Sequence, residues 1–451
     1  MANKVTKNTQ YPVIAESDKW LARAEGLIPA YTQTLAKGPQ QHVRGVAPKY
    51  LKKGKGARVW DVDGNEFLDY TMGVGPVLLG YAYDPVDNAI KEQLNDGITF
   101  SLMHPLEVEV AELMREMVPN TEMVRFSKTG ADATTAAIRL ARAFTGRSKI
   151  LCCGYHGWHD WYIAVTDRNK GIPQAAQDLS FTIPYNDLKG VEEALTPDIA
   201  AIILEPTVFE EPKPGFLQGL RDLCDKNGTL LIFDEMWTGF RLAPGGAQEY
   251  FGVRADMATF SKAVANGMPI SILTGRADVM KLLDKEVFFF TTFGGEALSL
   301  AACKATMNIL KKGEVTKHIF KLGDQLRTSL NSLFTAHGID YMKCIGIGPR
   351  SIVNIDGTKV NALEVKSLLQ QELIRMGILW AGIHNMSYSH TEADIRYTLE
   401  SYDEALAFVA KHVKEGTVAK ALRGTPVEPV FRKTTQFHMK PKAPGATEGR
   451  A

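Results

Sequence analysis

Two short apolar runs that stop at charged residues most constrain how this chain can fold. Leu230-Leu231-Ile232-Phe233 is followed by Asp234-Glu235, and Met257-Ala258-Thr259-Phe260 is followed by Ser261-Lys262. Each run has the length of a buried strand and is too short for an independent helix. A charged residue just past the carboxyl end of a parallel strand lies where open α/β sheets bind ligands. The pattern predicts one cleft that holds both the Asp234 carboxylate and the Lys262 amine. Such a pair suits a cofactor that is bound covalently through an amine and whose ring nitrogen needs an anionic partner.

Either residue alone also has an ordinary interpretation. A single lysine is usually a solvated surface residue, and Asp-Glu after a strand often only turns the chain. The surrounding sequence supports the functional interpretation, because strand and helix patterns alternate from about residue 124 to about residue 275. Such alternation predicts a largely parallel, doubly wound sheet in an α/β protein.

Length and composition narrow the class of protein. At 451 residues the chain exceeds one ordinary domain, and we expect an N-terminal segment (1–70), a large domain (71–320) and a C-terminal small domain with an extended tail (321–451). A net charge of +1 provides no electrostatic argument for nucleic acid, and no apolar run has membrane-spanning length. The five scattered cysteines favour a reducing cytoplasm, and no Cys/His cluster has zinc spacing, so no metal site is predicted.

A possible phosphate site follows the strand-like Val124-Arg125-Phe126. Ser127 to Asp132 separates that strand from a helix that we expect to run to about Phe144, and its apolar side is predicted to carry Ala133, Ala137, Leu140, Ala141 and Phe144. Gly130 allows close backbone approach, and a helix start offers unpaired N–H groups to an anion. An ordinary capped helix start, with Thr or Asp as the cap, explains the same residues equally well. Thr292 lies in a second Thr/Gly segment that could donate to an anion.

The segment Gly154 to His159 is rich in rings. His156, His159, Tyr155 and Trp158 could pack in a core or form a stacking wall for a flat ring. A metal site is the weaker interpretation, because no third ligand is spaced to join the two histidines.

The termini carry fewer signals. The apolar pattern predicts a helix over 17–35 with Ser17 as N-cap, and Asp63-Gly64 predicts a hairpin turn within 59–68. We interpret the basic segment 49–58 as a solvated loop. The tail from Leu422 is expected to be extended or partly ordered.

Together these motifs resemble the class III aminotransferases of pyridoxal phosphate fold type I, most closely the branch of glutamate-1-semialdehyde 2,1-aminomutase. The resemblance covers about residues 17–412 and is carried by motifs that occur in the family's order and spacing. These motifs are Val59 to Gly64, Thr129 to Ala133, Ile138 to Arg142, Tyr155-His156-Gly157, Phe233-Asp234-Glu235, Thr238 to Arg241, Gly245-Gly246-Ala247, Ser261-Lys262 and Ser389 to Asp394. The family fold implies a large domain with a mostly parallel seven-stranded sheet and a smaller α/β domain built from both termini.

The resemblance also implies roles for individual residues. Lys262 would form the internal aldimine with pyridoxal 5'-phosphate and act as the base through a quinonoid intermediate, while Asp234 would keep the pyridine nitrogen protonated. The family's other cofactor contacts fall on Gly130 and Ala131 for the phosphate, Tyr155 and Met236 for the two ring faces, Glu205 near the ring hydroxyl or Asp234, and Thr292 for the phosphate of the neighbouring subunit of a homodimer.

The substrate region departs from the aminomutase pattern. Arg44 matches the branch's substrate-carboxylate arginine, although a surface salt bridge is an equal alternative. The position where the aminomutase keeps a glutamate is Gly382. We therefore expect an aminotransferase that uses an amine or amino acid donor and a carbonyl acceptor. The alternatives are an intramolecular 2,1-aminomutase and a non-catalytic binding protein that retains the fold.

Overall fold

The computed structural model describes residues 9–429, and these residues form two units. One unit combines the N-terminal part up to Asp87 with the part from Glu314 onward, and the other unit is Asn88–Gly313. The chain thus changes unit at Asp87 and Gly313, whereas the sequence suggested boundaries near residues 70 and 320. The predicted tail lies outside the described residues from position 430 onward.

The first unit begins with a short helix and a hairpin-containing sheet. Its elements before Asn88 are α1 (Ala15–Ala24), β1 (Leu51–Lys55), β2 (Arg58–Asp61), β3 (Glu66–Asp69) and the start of α2 (Asp84–Asp96). β2 and β3 pair antiparallel, and Gly64 between them has φ +90°, which confirms the predicted hairpin.

The second unit alternates helices and strands. Its elements are α3 (Pro105–Met117), β4 (Met123–Ser127), α4 (Gly130–Thr145), β5 (Lys149–Cys153), α5 (Asp160–Ile163), α6 (Gln174–Gln177), β6 (Ser180–Thr182), α7 (Leu188–Ala194), β7 (Ile199–Leu204), α8 (Phe216–Asn227), β8 (Leu230–Asp234), α9 (Gly246–Phe251), β9 (Met257–Phe260), β10 (Ser271–Gly275), α10 (Ala277–Met280) and α11 (Ala297–Leu310).

These strands form one seven-stranded sheet in the order β4-β10-β9-β8-β7-β5-β6. The five strands from β9 to β6 pair in parallel, and β10 runs antiparallel to both of its neighbours. The prediction of an α/β protein with a mostly parallel seven-stranded sheet is therefore confirmed. Buried parallel strands require apolar residues on both faces, and every residue of β7, β8 and β9 except Thr259 and Asp234 is apolar.

Helix α4 packs on this sheet and places its own N-terminus at the sheet edge. The predicted apolar side of the helix is correct for Ala133, Ala137, Leu140 and Ala141, which are buried with Ile150, Ile203 and Ile232 in one core cluster. The prediction is wrong for Phe144, which is 39% exposed. Phe144 lies in the last turn before Gly146, and the Arg276 guanidinium covers its ring at 5.6 Å.

The C-terminal part of the chain supplies the remaining elements of the first unit. Its elements are α12 (Glu314–Ala336), β11 (Met342–Ile347), β12 (Arg350–Ile355), α13 (Ala362–Arg375), β13 (Ile378–Leu379), β14 (Ile383–Asn385), α14 (Glu392–Lys414) and α15 (Val418–Ala421). β13 joins the N-terminal strands in the order β1-β2-β3-β13, so both ends of the chain build one sheet. A second sheet has the order β11-β12-β14.

Two N-terminal predictions are wrong. The helix predicted over 17–35 ends at Ala24, because Gly26 has φ +75° and Pro29 begins a separate 3₁₀ turn. Ser17 is not the N-cap: Asp63 accepts from the backbone N–H of Ser17 at 2.9 Å and so caps the helix start from the hairpin. Residues 51–55 of the basic segment are mostly exposed, but they form strand β1 rather than a loop.

Among residues 9–429, no helix combines the length and the apolarity that a membrane crossing requires.

Candidate active site

Asp234 and Lys262 follow from two adjacent parallel strands. Asp234 is the last residue of β8, and its register partner on β9 is Thr259, three positions before Lys262. The next backbone N–H, that of Glu235, donates to the Thr259 carbonyl at 2.9 Å, so the two strands stay paired up to their carboxyl ends. The backbone therefore brings Asp234 and Lys262 to the carboxyl ends of two adjacent strands, as the sequence predicts.

The backbone at Lys262 is held in an uncommon conformation. Its φ is +46°, a left-handed value that is unfavourable for a side chain with a Cβ. Ser261 precedes it, and the Ser261 hydroxyl donates to the Ile270 carbonyl at 2.6 Å, which ties the turn to the strand that follows. Residues in such conformations persist where the surrounding structure determines them, and they cluster at functional sites.

The Asp234 carboxylate is buried, and each of its oxygens has one hydrogen-bond partner. Its side chain is 1% exposed, Oδ1 accepts from the Met236 N–H at 3.0 Å, and Oδ2 lies 2.7 Å from Nδ1 of His156, which is 0% exposed. A buried carboxylate is stable only with such partners. The sequence did not predict the His156 contact, although the Tyr-His-Gly motif after β5 was visible.

The contact of the second His156 nitrogen shows where the hydrogens of the His156–Asp234 pair lie. Nε2 lies 3.1 Å from the Cys153 carbonyl, which can only accept, so Nε2 carries a hydrogen and donates it. The short contact from Nδ1 to Asp234 therefore contains one further proton, shared between an imidazole and a carboxylate. A hydrogen between Nδ1 and Oδ2 holds the Asp234 side chain in this orientation.

Glu205 shapes the loop that carries Tyr155. Its Oε1 accepts from the Tyr155 N–H at 2.8 Å, and Gly154 has φ +113° with no room for a Cβ, which would lie 2.8 Å from Oε1. The Tyr155 side chain is 50% exposed. Burial raises its pKa, and the charges of Asp234 and Glu205 add to that rise, so the ring stays neutral. Glu205 thus holds the backbone of the predicted stacking residue.

The start of α4 presents free backbone donors. Thr129 is the N-cap: its hydroxyl accepts from the Asp132 N–H at 3.2 Å, and the Asp132 carboxylate accepts from the Thr129 N–H at 2.8 Å. The ordinary capped helix start is therefore present. No residue within 9–429 accepts from the N–H of Gly130 or Ala131, so a phosphate site at the same helix start is compatible with the cap.

Glycines bring the other side chains against this helix start. A Cβ on Gly130 would lie 2.9 Å from Sδ of Met236, and a Cβ on Gly157 would lie 2.7 Å from Cβ of Ala131. Met236 and Gly157 therefore contact the two residues with free N–H groups. The structure brings together Asp234, Met236, Gly130 and Ala131, as the sequence expected of a single site.

Thr292 lies in an exposed aromatic loop of the same unit. Phe288, Phe290 and Phe293 are 72%, 58% and 58% exposed. Two arginines anchor the loop backbone: Arg139 donates to the Phe288 carbonyl at 2.7 Å and Arg125 to the Phe289 carbonyl at 3.0 Å. Within residues 9–429, no hydrogen bond joins Thr292 to Gly130 or Ala131.

Arg44 and Gly382 belong to the other unit. Nη2 of Arg44 donates to Oε1 of Glu428 at 3.1 Å, so the salt bridge considered from the sequence is present. Gly382 has φ +108°, and a Cβ there would lie 3.1 Å from the end of Lys366. A glutamate at this position would be strained, which agrees with its absence here.

These residues fit a flat, cationic, phosphorylated ring. A buried carboxylate suits a protonated ring nitrogen, free N–H groups at a helix start suit a phosphate, and glycine positions without space for a Cβ allow close approach. The fold and these side chains define the class of fold type I enzymes that carry such a cofactor.

Comparisons with known proteins identify the family. The model of the class-III aminotransferases matches residues 41–374, and the chain belongs to this family. It is 36% identical over 413 residues to the 3-aminobutyryl-CoA aminotransferase of Cloacimonas acidaminovorans, covering 88% of this chain and 98% of that protein. It is 33% identical over 429 residues to the glutamate-1-semialdehyde 2,1-aminomutase of Archaeoglobus fulgidus, covering 87% and 99%.

A solved structure shows the same architecture. The FumI protein of Sphingopyxis sp. MTA144, in its PLP internal aldimine form, superposes with a TM-score of 0.82 at 27% identity and covers 88% of this chain and 97% of that one. The predicted family and fold type are confirmed.

Proposed function

We propose that this protein is a pyridoxal-5'-phosphate-dependent aminotransferase that moves an amino group from an amine or amino acid donor to a carbonyl acceptor. The observation that supports the proposal is the pairing of β8 and β9: Asp234 ends β8 opposite Thr259, three positions before Lys262, and the helix α4 with its free N–H groups belongs to the same unit. Membership of the class-III aminotransferases supports the reaction type.

The chain's own residues divide the task of holding the cofactor. Asp234, fixed by His156, takes the ring nitrogen; the N–H groups of Gly130 and Ala131 take the phosphate; Tyr155 and Met236 cover the ring faces. Glu205 acts through the Tyr155 backbone. When bound, pyridoxal phosphate supplies a carbonyl carbon for the amino group and an electron sink for a carbanion.

Lys262 anchors the cofactor and then moves the proton. Its Nζ, once released by the incoming donor, removes a proton from the carbon that bears the amino group, and it returns that proton during the opposite half of the reaction. A lysine acts as a base only when neutral, and burial beside a cationic ring favours the neutral amine. The backbone conformation at φ +46° sets the direction of the Cα–Cβ bond from which the Lys262 side chain extends.

We further propose a homodimer in which Thr292 reaches the phosphate of the neighbouring subunit. An anchored loop with three exposed phenylalanines is the kind of surface that a partner chain covers. The five cysteines are all free thiols, which supports a cytoplasmic location.

For the donor, we propose a small molecule whose carboxylate is bound by Arg44. The relative named for 3-aminobutyryl-CoA makes amines on the third carbon the first donors to test. Because other relatives are named as aminomutases, an intramolecular 2,1-aminomutase is the second candidate function. Gly382, with its left-handed backbone, favours the transferase.

Visible absorbance tests the proposal. The purified protein should be yellow, and a panel of amine donors should bleach the colour in single half-reactions. Lys262→Ala should lose the absorbance of the lysine-bound cofactor and the bleaching, whereas Lys285→Ala, which removes an exposed lysine, should change neither. A protein that stays colourless after reconstitution with the cofactor would contradict the proposal. Nitrogen-15 from a labelled donor should appear in a separate acceptor, and its retention in one molecule would instead identify an aminomutase.

A further inference from the structure

The C-terminal residues 423–428, here called the strap, run beside the segment that carries Arg44. The two backbones form an antiparallel bridge: the Arg44 N–H donates to the Thr425 carbonyl at 3.2 Å, and the Thr425 N–H donates back to the Arg44 carbonyl at 3.0 Å. Further along, the Glu428 N–H donates to the Gln40 carbonyl at 2.9 Å. The strap therefore follows the Arg44 segment for several residues.

Burial and close packing hold the strap in this position. Val427 is 3% exposed and belongs to a core cluster with Val43 and Val46, and its N–H donates to the Ser367 hydroxyl at 2.9 Å. Gly424 has no room for a side chain, because a Cβ would lie 2.0 Å from the Arg44 carbonyl oxygen. The path of the strap thus depends on its backbone, on Val427 and on Gly424, and not on the Glu428 side chain.

The ion pair at the end of the strap is incomplete. Glu428 takes a single donor, Nη2 of Arg44, at 3.1 Å. Nε of Arg44 is buried, and it has no acceptor anywhere in residues 9–429. A guanidinium can bind a carboxylate through two parallel N–H donors, and this geometry is stronger than a single contact. The side chains of Arg44 and Glu428 are 42% and 52% exposed, so water and a ligand can reach the pair.

We infer that Glu428 is a specificity-determining positioning residue, which occupies the Arg44 guanidinium until a substrate carboxylate replaces it. This inference rests on the proposed function, in which Arg44 binds the donor carboxylate. The backbone bridge keeps the Arg44 segment in place when the Glu428 charge is removed. The loss of that charge therefore frees the N–H groups of the guanidinium without displacing the arginine. Glu428 consequently weakens every carboxylated donor and leaves simple amines unaffected.

Glu428→Gln tests the inference with a matched pair of donors. The donors are 3-aminobutanoate and 2-aminopropane, which differ only by the carboxylate. Exposed ion pairs contribute modestly, so the KM for 3-aminobutanoate should fall by roughly two- to fivefold, with kcat unchanged. The KM for 2-aminopropane should stay constant. Asp340→Asn, which breaks the exposed Lys359 pair of 2.7 Å in the same unit, is the control for a lost surface charge and should change neither KM.

A binding measurement separates this inference from the proposed function. Butyrate carries the carboxylate but no amine, and its Kd can be measured by ligand-observed NMR without any turnover. Glu428→Gln should tighten butyrate by the same roughly two- to fivefold, and Arg44→Ala should abolish that gain. An unchanged or weaker butyrate Kd in Glu428→Gln, or an equal shift of both amines, would overturn the inference. Absence of any bleaching by amines would count against the aminotransferase proposal instead.

Discussion

Nδ1 of His156 lies 2.7 Å from Oδ2 of Asp234, and both side chains are buried in the second unit. The residues are distant in the chain but lie at the carboxyl ends of two parallel strands of one sheet: His156 follows β5 and Asp234 ends β8, with β7 between these strands. The contact leaves Asp234 oriented by His156 on one oxygen and by a backbone N–H on the other.

Replacing His156 should therefore weaken the site through Asp234. His156→Phe leaves a buried carboxylate oxygen without its partner, a loss of roughly 1–3 kcal/mol, and the bleaching rate with an amine should fall by about 5- to 150-fold. The wavelength and pH response of the bound cofactor should change as well, because these report the charge at the ring nitrogen. His412→Phe removes a histidine in the other unit that bonds Thr417 at 2.7 Å, and it should leave all these signals as in the wild type. An unchanged spectrum and rate in His156→Phe would contradict the orienting role.

Two glycines with similar backbones distinguish crowding from conformational strain. Gly157 and Gly171 have φ +107° and +95°, but a Cβ on Gly157 would lie 2.9 Å from Cα of Ala131, whereas a Cβ on Gly171 would contact nothing within 4 Å. Both alanine substitutions should lower the free energy of unfolding by about 1–2 kcal/mol. Gly157→Ala should also displace the start of α4 and raise the Kd for the cofactor, measured by fluorescence titration. Equal cofactor affinity in the two variants would show that the N–H groups at Gly130 and Ala131 do not hold the phosphate.

The anchored aromatic loop predicts how the oligomer can be broken. Phe290→Asp places a charge where we expect a partner chain, and loss of an interface aromatic worth about 2 kcal/mol should raise the dimer dissociation constant roughly 30-fold. Light scattering over a dilution series measures this. Leu363→Asp, at an exposed leucine of α13, is the control and should remain dimeric. A wild-type protein that is monomeric at micromolar concentration would refute the dimer and the role of Thr292 together.

Buried histidines in the first unit predict acid sensitivity. Burial lowers the pKa of His384 to about 3, while Nε2 contacts the Tyr402 hydroxyl at 2.9 Å and Nδ1 contacts Ser351 at 3.1 Å. Burial likewise lowers the pKa of His42 and of His390 to about 4. Above pH 6.5 these rings are neutral in both states. Below pH 6.5 these histidines bind protons in the unfolded chain but not in the folded chain. The free energy of unfolding therefore decreases as the pH falls from about 6.5 towards 4, by up to about 1.4 kcal/mol per pH unit for each ring.

Urea unfolding between pH 7 and pH 4.5 checks this sign. His384→Gln should be less stable than the wild type at pH 7 but should lose less stability on acidification. Glu235→Gln should behave oppositely, because burial raises the pKa of Glu235 to about 7 despite the N–H donors of Ala247 and Gln248. Folded Glu235 holds a proton that the unfolded chain releases above about pH 4.5. The stability of Glu235→Gln relative to the wild type should therefore increase as the pH rises. A parallel pH dependence in all three proteins would show that neither group is coupled to folding.

Local patterns were sufficient wherever one element determined the result. The apolar runs ending at Asp234 and Lys262 are strands because buried parallel strands need apolar residues on both faces. The start of α4 follows from Thr129 and Asp132, which cap it reciprocally. The predicted N-terminal helix was too long, because its apolar spacing continued past Gly26, where the backbone turns left-handed.

Contacts between distant segments were decided only by the tertiary structure. Nothing near His156 in the sequence indicates that it bonds Asp234, since the pairing of β5, β7 and β8 brings them together. The same holds for Glu428, which meets Arg44 because the C-terminal strap pairs with an N-terminal segment. The sequence alone determined the strands, the helix start and the chemical groups at their ends, because these depend on neighbours within a few residues. The partners that orient those groups depend on which strands become adjacent, and that order is set by the packing of the whole unit.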